Sequence, residues 1–221
     1  MRYEDLRRRL ETWSVDRLVD LVMDLAQSDW ELHRRIDRHV IAREDPDATS
    51  ASLRGAIDLA LAVRFVEWDE VASFVTRLDA VVADIAAFGR DHPAPALELL
   101  RYFVVKLPSV FDNVHGEDEL SQVCEDLAAQ SVKLASRAGL PLRGAVEPLL
   151  RAYGDDGYGY FDRVPEAVAR ELREAPEDVR AELADCAMEV AGETRDSHVA
   201  KRLEGWARQM RADGGRMEGR R

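Results

Sequence analysis

Residues 118–138 read DELSQVCEDLAAQSVKLASRA, and the spacing of their apolar side chains decides the fold class. Residues three or four positions apart share one face of an α-helix, whereas alternate residues share one face of a strand. The apolar positions follow the helical spacing: Leu120, Val123, Cys124, Leu127, Val132 and Leu134. Gly139 comes directly afterwards, where glycine commonly ends a helix. The stretch therefore predicts one amphipathic helix with a buried apolar face.

The same spacing recurs on both sides of this helix. Upstream, the predicted helices cover residues 6–13, 15–26, 30–41, 50–63, 67–88 and 93–107. Ser14 and Ser28 are the expected N-caps of the second and third helices. Pro108 lies inside the pattern of the last one, so we expect a kink there rather than two helices. Downstream, the predicted helices cover residues 141–153, 165–174, 176–191 and 197–212.

The organisation of the chain follows from these helices. No segment shows the sustained alternation of a strand, so we expect no sheet. Successive helices with short connections are typical of helical-repeat proteins, although no fixed period is present. We predict an all-α, helical-repeat-like fold, an irregular array or bundle of about ten to eleven helices. Residues 1–212 are expected to form a single helical domain, with a subdivision near 90–95 as the alternative, and residues 213–221 a disordered basic tail.

The charge of the chain limits its partners. The net charge is −12 and the pI about 4.9, which argues against a duplex nucleic-acid binder, because such proteins need clustered Lys and Arg. Residues 201–221 differ, with seven basic and three acidic residues. Trp206, Arg202, Arg208 and Arg211 in this segment are candidate contacts for a nucleic acid or an acidic partner. A solvated helix end with a frayed terminus is the commoner explanation of such a run.

The residue types that carry chemistry are not arranged for it. None of the five histidines lies three or four residues from another, as two metal ligands on one helical face require. Cys124 and Cys186 occupy apolar helical positions, which predicts small buried side chains. Acidic residues beside Cys124 would raise the pKa of its thiol and make it less reactive. There is no Gly-x-Ser-x-Gly elbow and no phosphate-binding glycine loop, so we expect no metal, no cofactor and no catalytic site.

One loop, residues 154–160 with the sequence GDDGYGY, stands out from the helices. Counted as an EF-hand from Asp155, it places Glu166 at the twelfth position. Gly157 and Gly159 then occupy the third and fifth positions, and neither has a side chain to bind calcium. We therefore interpret the loop as a polar turn whose tyrosines pack back on the neighbouring helices.

Large aromatic residues and apolar stretches give two further expectations. Trp13, Trp30 and Trp68 are expected in the core, whereas Trp206 lies beside the basic segment and suits an interface. The first residues, MRYED, have no apolar signal region, and no stretch approaches the roughly 20 apolar residues that cross a bilayer. We expect a cytoplasmic protein without membrane contact.

The order of several short segments resembles a known helical region. The runs LETWSVDRLVDL (residues 10–21) and DWELHRR (residues 29–35) resemble the helices that follow the zinc finger in bacterial SWIM zinc-finger proteins. They are also similar to a related stand-alone bacterial helical family of unknown function. Further matches, which extend the resemblance over about residues 5–175, are LRxxID from Leu53, FxxW from Phe65, LD at Leu78, LLRYF from Leu99 and DGYGYFD from Asp156.

The resemblance implies a helical body and no established enzyme activity. The zinc finger, a Cys-x-Cys pair with a later Cys-x-His, is absent, so its metal and its nucleic-acid role do not carry over. Residues 112–116, DNVHG, also replace a more acidic turn of the family. Any cation or arginine contact of that turn does not carry over either.

These observations predict a non-catalytic helical scaffold that binds another protein. Contact between a partner helix and a groove is the natural mode for a helical array. Nucleic-acid association through the basic C-terminal segment is the second hypothesis. The third is an enzyme of unrecognised type, because apolar helical pockets also bind ligands. The sequence leaves the partner, the pathway and the oligomeric state open.

Overall fold

The computed structural model describes residues 3–29, 32, 33, 36, 45–114 and 117–212. Within these residues it contains ten α-helices and one 3-10 helix, and the only strand-like pairing is an isolated bridge between Val66 and Val114. The all-α prediction is therefore confirmed. The helices are α1 (Tyr3–Leu10), α2 (Val15–Ser28), α3 (Pro46–Leu61), α4 (Val71–Phe88), α5 (Pro93–Lys106), the 3-10 helix (Leu107–Asn113), α6 (Glu117–Ala138), α7 (Leu142–Asp155), α8 (Val164–Glu171), α9 (Glu177–Glu193) and α10 (Ser197–Ala212).

The chain divides into two compact units, Met1–Thr49 and Ser50–Arg221. The sequence suggested a subdivision near residues 90–95 instead, but α4 and α5 on either side of that point pack against each other within the second unit. A single domain over residues 1–212 stays a prediction. Most of the third predicted helix (30–41) and the predicted disordered tail (213–221) lie outside the described residues.

The first unit contains α1 and α2. Ser14 caps α2 as expected, because its side-chain oxygen accepts a hydrogen bond from the Arg17 backbone N–H at 3.3 Å. The apolar residues at the helical spacing of α2 share one face, and most of them are exposed. Val15 is 74% exposed and Val19 53%, while Ala26 is buried. Periodicity shows which residues share a helical face, but not whether another element covers that face.

Helix α6 is the centre of the second unit. Its 22 residues pack against α4, α5, α7 and α8, and Leu120, Val123 and Leu127 are completely buried. Burial of each such leucine stabilises the fold by about 1.5–3 kcal/mol. The predicted apolar face of residues 118–138 is confirmed, since the cysteine and the other apolar residues at the helical spacing are buried as well.

Prolines set two helix boundaries differently from the prediction. Helix α3 begins at Pro46, not at residue 50, because proline fits the first turn and the Asp45 carboxylate accepts the Ala48 N–H at 2.9 Å. Helix α5 does not kink at Pro108. It ends at Lys106, and the 3-10 helix follows, since the proline ring and the missing N–H prevent α-helical bonding there.

The remaining elements complete the second unit. Helices α9 and α10 pack side by side, and α10 covers the predicted residues 197–212. Trp68 is 73% exposed, so its predicted place in the core is wrong. It lies in the turn before α4, which begins at Val71 rather than at residue 67. Trp13 is half-buried, and Trp30 lies outside the described residues. Within the residues that the structure describes, each helix is too short or too polar to span a bilayer.

Candidate functional site

A cavity of about 680 Å³ lies between α5, the 3-10 helix and α7, and we call it the groove. Val104 and Phe111 form a buried apolar floor, and Val105 and Tyr158 stand exposed beside it. A volume of this size accommodates a drug-sized ligand or several side chains of a partner. The other lining residues are Arg101, Pro108, Gly144, Glu147, Pro148, Arg151, Ala152, Asp155, Asp156 and Gly157.

A proline inside α7 builds one wall of the groove. Pro148 has no N–H to donate to the carbonyl of Gly144, four residues earlier in the helix. Instead, Nε of Arg101 on α5 donates a hydrogen bond to that carbonyl at 2.8 Å. A Cβ at Gly144 would lie 2.5 Å from Nη2 of Arg101, so glycine leaves room for this close approach. The hydrogen bond from Arg101 to the Gly144 carbonyl, which Pro148 leaves free, therefore connects α5 to α7.

Ion pairs along α7 hold the same wall against α9. Arg143, Glu147 and Arg151 are spaced four residues apart, and Arg151 Nη2 lies 3.0 Å from Glu147 Oε1. The two arginines also pair with Glu189 and Glu193 of α9. The hydrogen bond from Arg151 lowers the pKa of Glu147. Because these side chains are partly exposed, each pair contributes less than about 1 kcal/mol, but together they orient α7.

Helix α7 continues two residues beyond its predicted end at 153, and the turn of residues 156–160 that follows it closes one end of the groove. The two oxygens of Asp156 accept the backbone N–H groups of Tyr158 at 2.9 Å and Phe161 at 2.7 Å. Gly159 has φ of +85°, which favours glycine. Asp156 therefore stabilises a turn, as expected from the sequence.

The tyrosines of this loop pack back on the 3-10 helix. The ring of Tyr160 lies 4.2 Å from that of Phe111, and its hydroxyl donates to the Val114 carbonyl at 3.2 Å. The Tyr158 hydroxyl donates to Asp112, and this bond raises the pKa of Tyr158. The interpretation of the loop as a turn with packed tyrosines is confirmed, and it also positions Tyr158 at the rim of the groove.

The charges around the groove leave an acidic end. Two arginines and three carboxylates line it, so the carboxylates are in excess by one. Asp155 is exposed and is the last residue of α7, where the negative end of the helix dipole adds to its charge. A cationic group is therefore favoured at this end.

The residues predicted from the basic segment do not contribute to the groove. Trp206 is only 6% exposed and donates its Nε1–H to the Pro165 carbonyl at 2.7 Å, so it is a core residue rather than an exposed contact. Arg202 pairs with Asp162 at 2.9 Å, and Arg211 pairs with Asp185. Arg208 is exposed on α10. The arginines at 216, 220 and 221 lie outside the described residues.

Both cysteines are buried free thiols, as predicted. Burial raises the pKa of Cys124, with a smaller contribution from Asp156, and it raises the pKa of Cys186 to about 11. Burial, and not the acidic neighbours in the sequence, is therefore the main cause at Cys124. The part of the chain that the structure describes contains no group of three His, Cys, Asp or Glu side chains placed to hold a metal ion.

The groove is not evident from the sequence patterns. Its main signal is the pair Gly144 and Pro148, four residues apart inside one amphipathic pattern. A proline in a helix interior frees the carbonyl four residues earlier, which then needs another donor. The sequence does not show which arginine supplies that donor, because Arg101 is 43 residues away.

The fold and the groove define the class of this molecule as an all-α protein with an open, largely apolar groove of ligand size. The family model described as a family of unknown function (DUF6880) matches residues 6–219 of the chain. The protein belongs to this family, and membership in an uncharacterised family agrees with the expectation from the sequence. Comparison with the curated proteins and with the solved structures gives no match.

Proposed function

We propose that this protein is a non-catalytic interaction module that binds an amphipathic helical segment of another protein in the groove. The observation that carries the proposal is Val105, an aliphatic side chain that is 71% exposed at the edge of a buried apolar floor. An apolar face of a partner helix would cover Val105 and contact the floor. Recognition of this kind uses apolar anchors at helical spacing.

The charge of the groove specifies the partner further. Asp155 and the negative end of the α7 helix dipole lie at the acidic end of the groove, beside its apolar floor. The bound segment would therefore carry Lys or Arg beside its apolar face. The net charge of −12 attracts such a segment over a longer range and increases the association rate.

The bonding of the polar groups supports binding rather than catalysis. Glu147 is held between two arginines, and Asp156 accepts two backbone N–H groups. These carboxylates stabilise the wall and the turn, and both thiols are buried and do not line the groove. A general acid or base needs a group that is available to exchange a proton with substrate.

We also propose that the protein is cytoplasmic and bacterial. Buried free thiols fit a reducing compartment, which supports a cytoplasmic location. The resemblance to the helices of SWIM zinc-finger proteins supports a bacterial origin and a helical body that acts without the finger.

Selection from a displayed library of helical peptides tests the proposal. Peptides are enriched on the wild-type chain alone, and the affinity of each selected peptide is then compared between wild type and Val105→Glu, which places a charge at the exposed edge of the groove. We expect the surviving peptides to share apolar residues at positions i, i+3 or i+4, and i+7, with Lys or Arg at one end. Enrichment of acidic peptides, or of peptides that bind Val105→Glu equally, contradicts the proposal.

A second variant tests the acidic end separately. Asp155→Asn removes one exposed carboxylate without changing the size of the side chain. Selected peptides should bind this variant several-fold more weakly, and replacement of their basic residue by Gln should remove the difference. Equal affinity for wild type and Asp155→Asn contradicts the assigned role of this end.

A further inference from the structure

A second pocket, of about 430 Å³, lies among α8, the turn after it, α9 and α10. It shares no lining residue with the groove, so its role is independent of the proposed function. The residues that line it are Glu166, Ala169, Arg170, Leu172, Arg173, Arg180, Trp206, Gln209 and Met210. We call it the Arg180 pocket.

Arg180 is the unusual residue of this pocket. It is only 8% exposed, and its Nε is buried without a hydrogen-bond acceptor. Within the described residues, the ion pairs and side-chain hydrogen bonds do not include its guanidinium. Arginine stays protonated in proteins, so the side chain cannot avoid the charge by losing a proton. A buried charge of this kind is costly unless a partner compensates it.

The surrounding charges do not supply that partner. Three arginines and one glutamate line the pocket, so positive charge is in excess. Arg170 is already paired with Glu125 at 2.9 Å, and Arg173 is exposed at the edge. An anion in the pocket would neutralise Arg180 and gain attraction from both neighbours.

The opposite wall is apolar. Leu172, Trp206 and Met210 are buried, each less than a tenth exposed. The Nε1–H of Trp206 is bonded to the Pro165 carbonyl, so the indole offers no donor to the pocket and contributes only its apolar surface. A ligand that fills the pocket therefore combines an anionic group with an apolar body.

We propose that the Arg180 pocket binds a carboxylate attached to a small apolar group. A guanidinium donates side by side to the two oxygens of a carboxylate, and Arg180 lines the pocket with an Nε that has no acceptor within the fold. The apolar group lies against Trp206 and Met210. A free organic acid and the C-terminus of a peptide both provide this chemistry.

Titration of the full chain with matched acids and amides tests the proposal. Hexanoate represents a free acid and N-acetylleucine a peptide C-terminus, and hexanamide and N-acetylleucine amide are their neutral controls. The Nε–H signal of Arg180 is followed by NMR. We expect saturable binding and a shifted signal with at least one acid, and at least tenfold weaker binding of its amide. The acid that binds more tightly identifies the source of the carboxylate.

Variants distinguish the specific site from general charge attraction. Arg180→Lys keeps the charge but loses the paired donors, so the acid should bind at least tenfold more weakly. Arg195→Lys changes an exposed arginine that does not line the pocket and should bind as wild type does. Arg173→Gln alters only the exposed edge, provides a test if Arg180→Lys unfolds, and should weaken binding several-fold.

Three results overturn the proposal. The first is equal binding of acids and amides, which would show that charge is not recognised. The second is binding that is unchanged in both Arg180→Lys and Arg173→Gln. The third is inorganic phosphate binding as tightly as the acids, because a simple anion has no apolar group for Trp206 to contact.

Discussion

Arg101 lines the groove and Arg180 lines the second pocket, but the two arginines differ in their hydrogen-bond partners within the fold. Arg101 has partners within the fold: the Gly144 carbonyl that Pro148 leaves without its helical donor, and the carboxylate of Glu98. Arg180 is more deeply buried and has an unbonded Nε. Arg101, like Glu147 and Asp156, therefore has partners without a ligand, so the groove recognises a partner mainly through apolar contact and through Asp155 at its acidic end. The Arg180 pocket needs an anion to become complete.

Replacement of Arg180 gives the largest expected effect. Arg180→Met removes a buried charge without a partner and keeps a side chain of similar length, so the ligand-free chain should become more stable by about 1–3 kcal/mol. Urea unfolding measures this change. A loss of stability would show that the guanidinium is compensated within the fold, and the contrast with Arg101 would not hold.

Replacement of Arg101 by methionine in the groove should lower the stability of the chain, opposite to the effect at Arg180. Arg101→Met removes the donor to the Gly144 carbonyl, and an acceptor left without a partner costs about 1–2 kcal/mol. The loss of stability should lie in the lower half of the range for an unpaired acceptor. The Arg101 side chain is 31% exposed, so water can replace its hydrogen bond to the carbonyl. Unchanged or increased stability in urea would contradict the role of this hydrogen bond.

Pro148 explains why Arg101 is needed, and a double-mutant cycle tests that link. Pro148→Ala restores the N–H that bonds to Gly144 within α7. Arg101→Met should then cost about 1 kcal/mol less in the Pro148→Ala background than in wild type. Additive effects of the two substitutions would show that the proline and the arginine act independently.

Removal of the α7 ion pairs should change the stability of the chain least, and the size of this change depends on pH. The pKa of Glu147 is lowered in the fold, so its pairs stabilise the native state at neutral pH. This contribution is lost as the pH falls below the ordinary glutamate range, about 4.3. Glu147→Gln should therefore cost less than about 1 kcal/mol at pH 7, and the difference from wild type should disappear in acid. A difference that persists at pH 3 would contradict an electrostatic origin.

The apolar spacing predicts the helices themselves, α2 included, but it predicts burial only where other helices cover the apolar face. Residues 118–138 have this property, and their apolar face is buried as expected. Helix α2 has an equally regular pattern, but Val15 and Val19 are exposed. The difference lies in the packing partners, which the sequence of one helix does not contain. Pro46 and Pro108 show a further limit, because proline fits both the start of a helix and the break after one.

Neither cavity could be predicted from local sequence. The groove depends on Arg101 meeting a carbonyl of a helix 43 residues later. Arg180 lies in an ordinary amphipathic helix, and its sequence context does not distinguish it from the exposed arginines. Its burial results from the packing of α10 against α9 beside the α8 residues that line the same pocket. Trp206 illustrates the same point, since its place beside a basic segment suggested an interface, whereas packing against α8 buries it.

Binding of a selected peptide to three forms of the chain tests the central claim most directly. Fluorescence anisotropy of the labelled peptide gives its Kd for wild type, for Val105→Glu, and for Leu59→Glu. Leu59 is 67% exposed but does not line the groove, so it is a matched control for added charge on an exposed aliphatic side chain. The proposed groove predicts at least tenfold weaker binding to Val105→Glu and unchanged binding to Leu59→Glu. Equal Kd values for the two variants would contradict it.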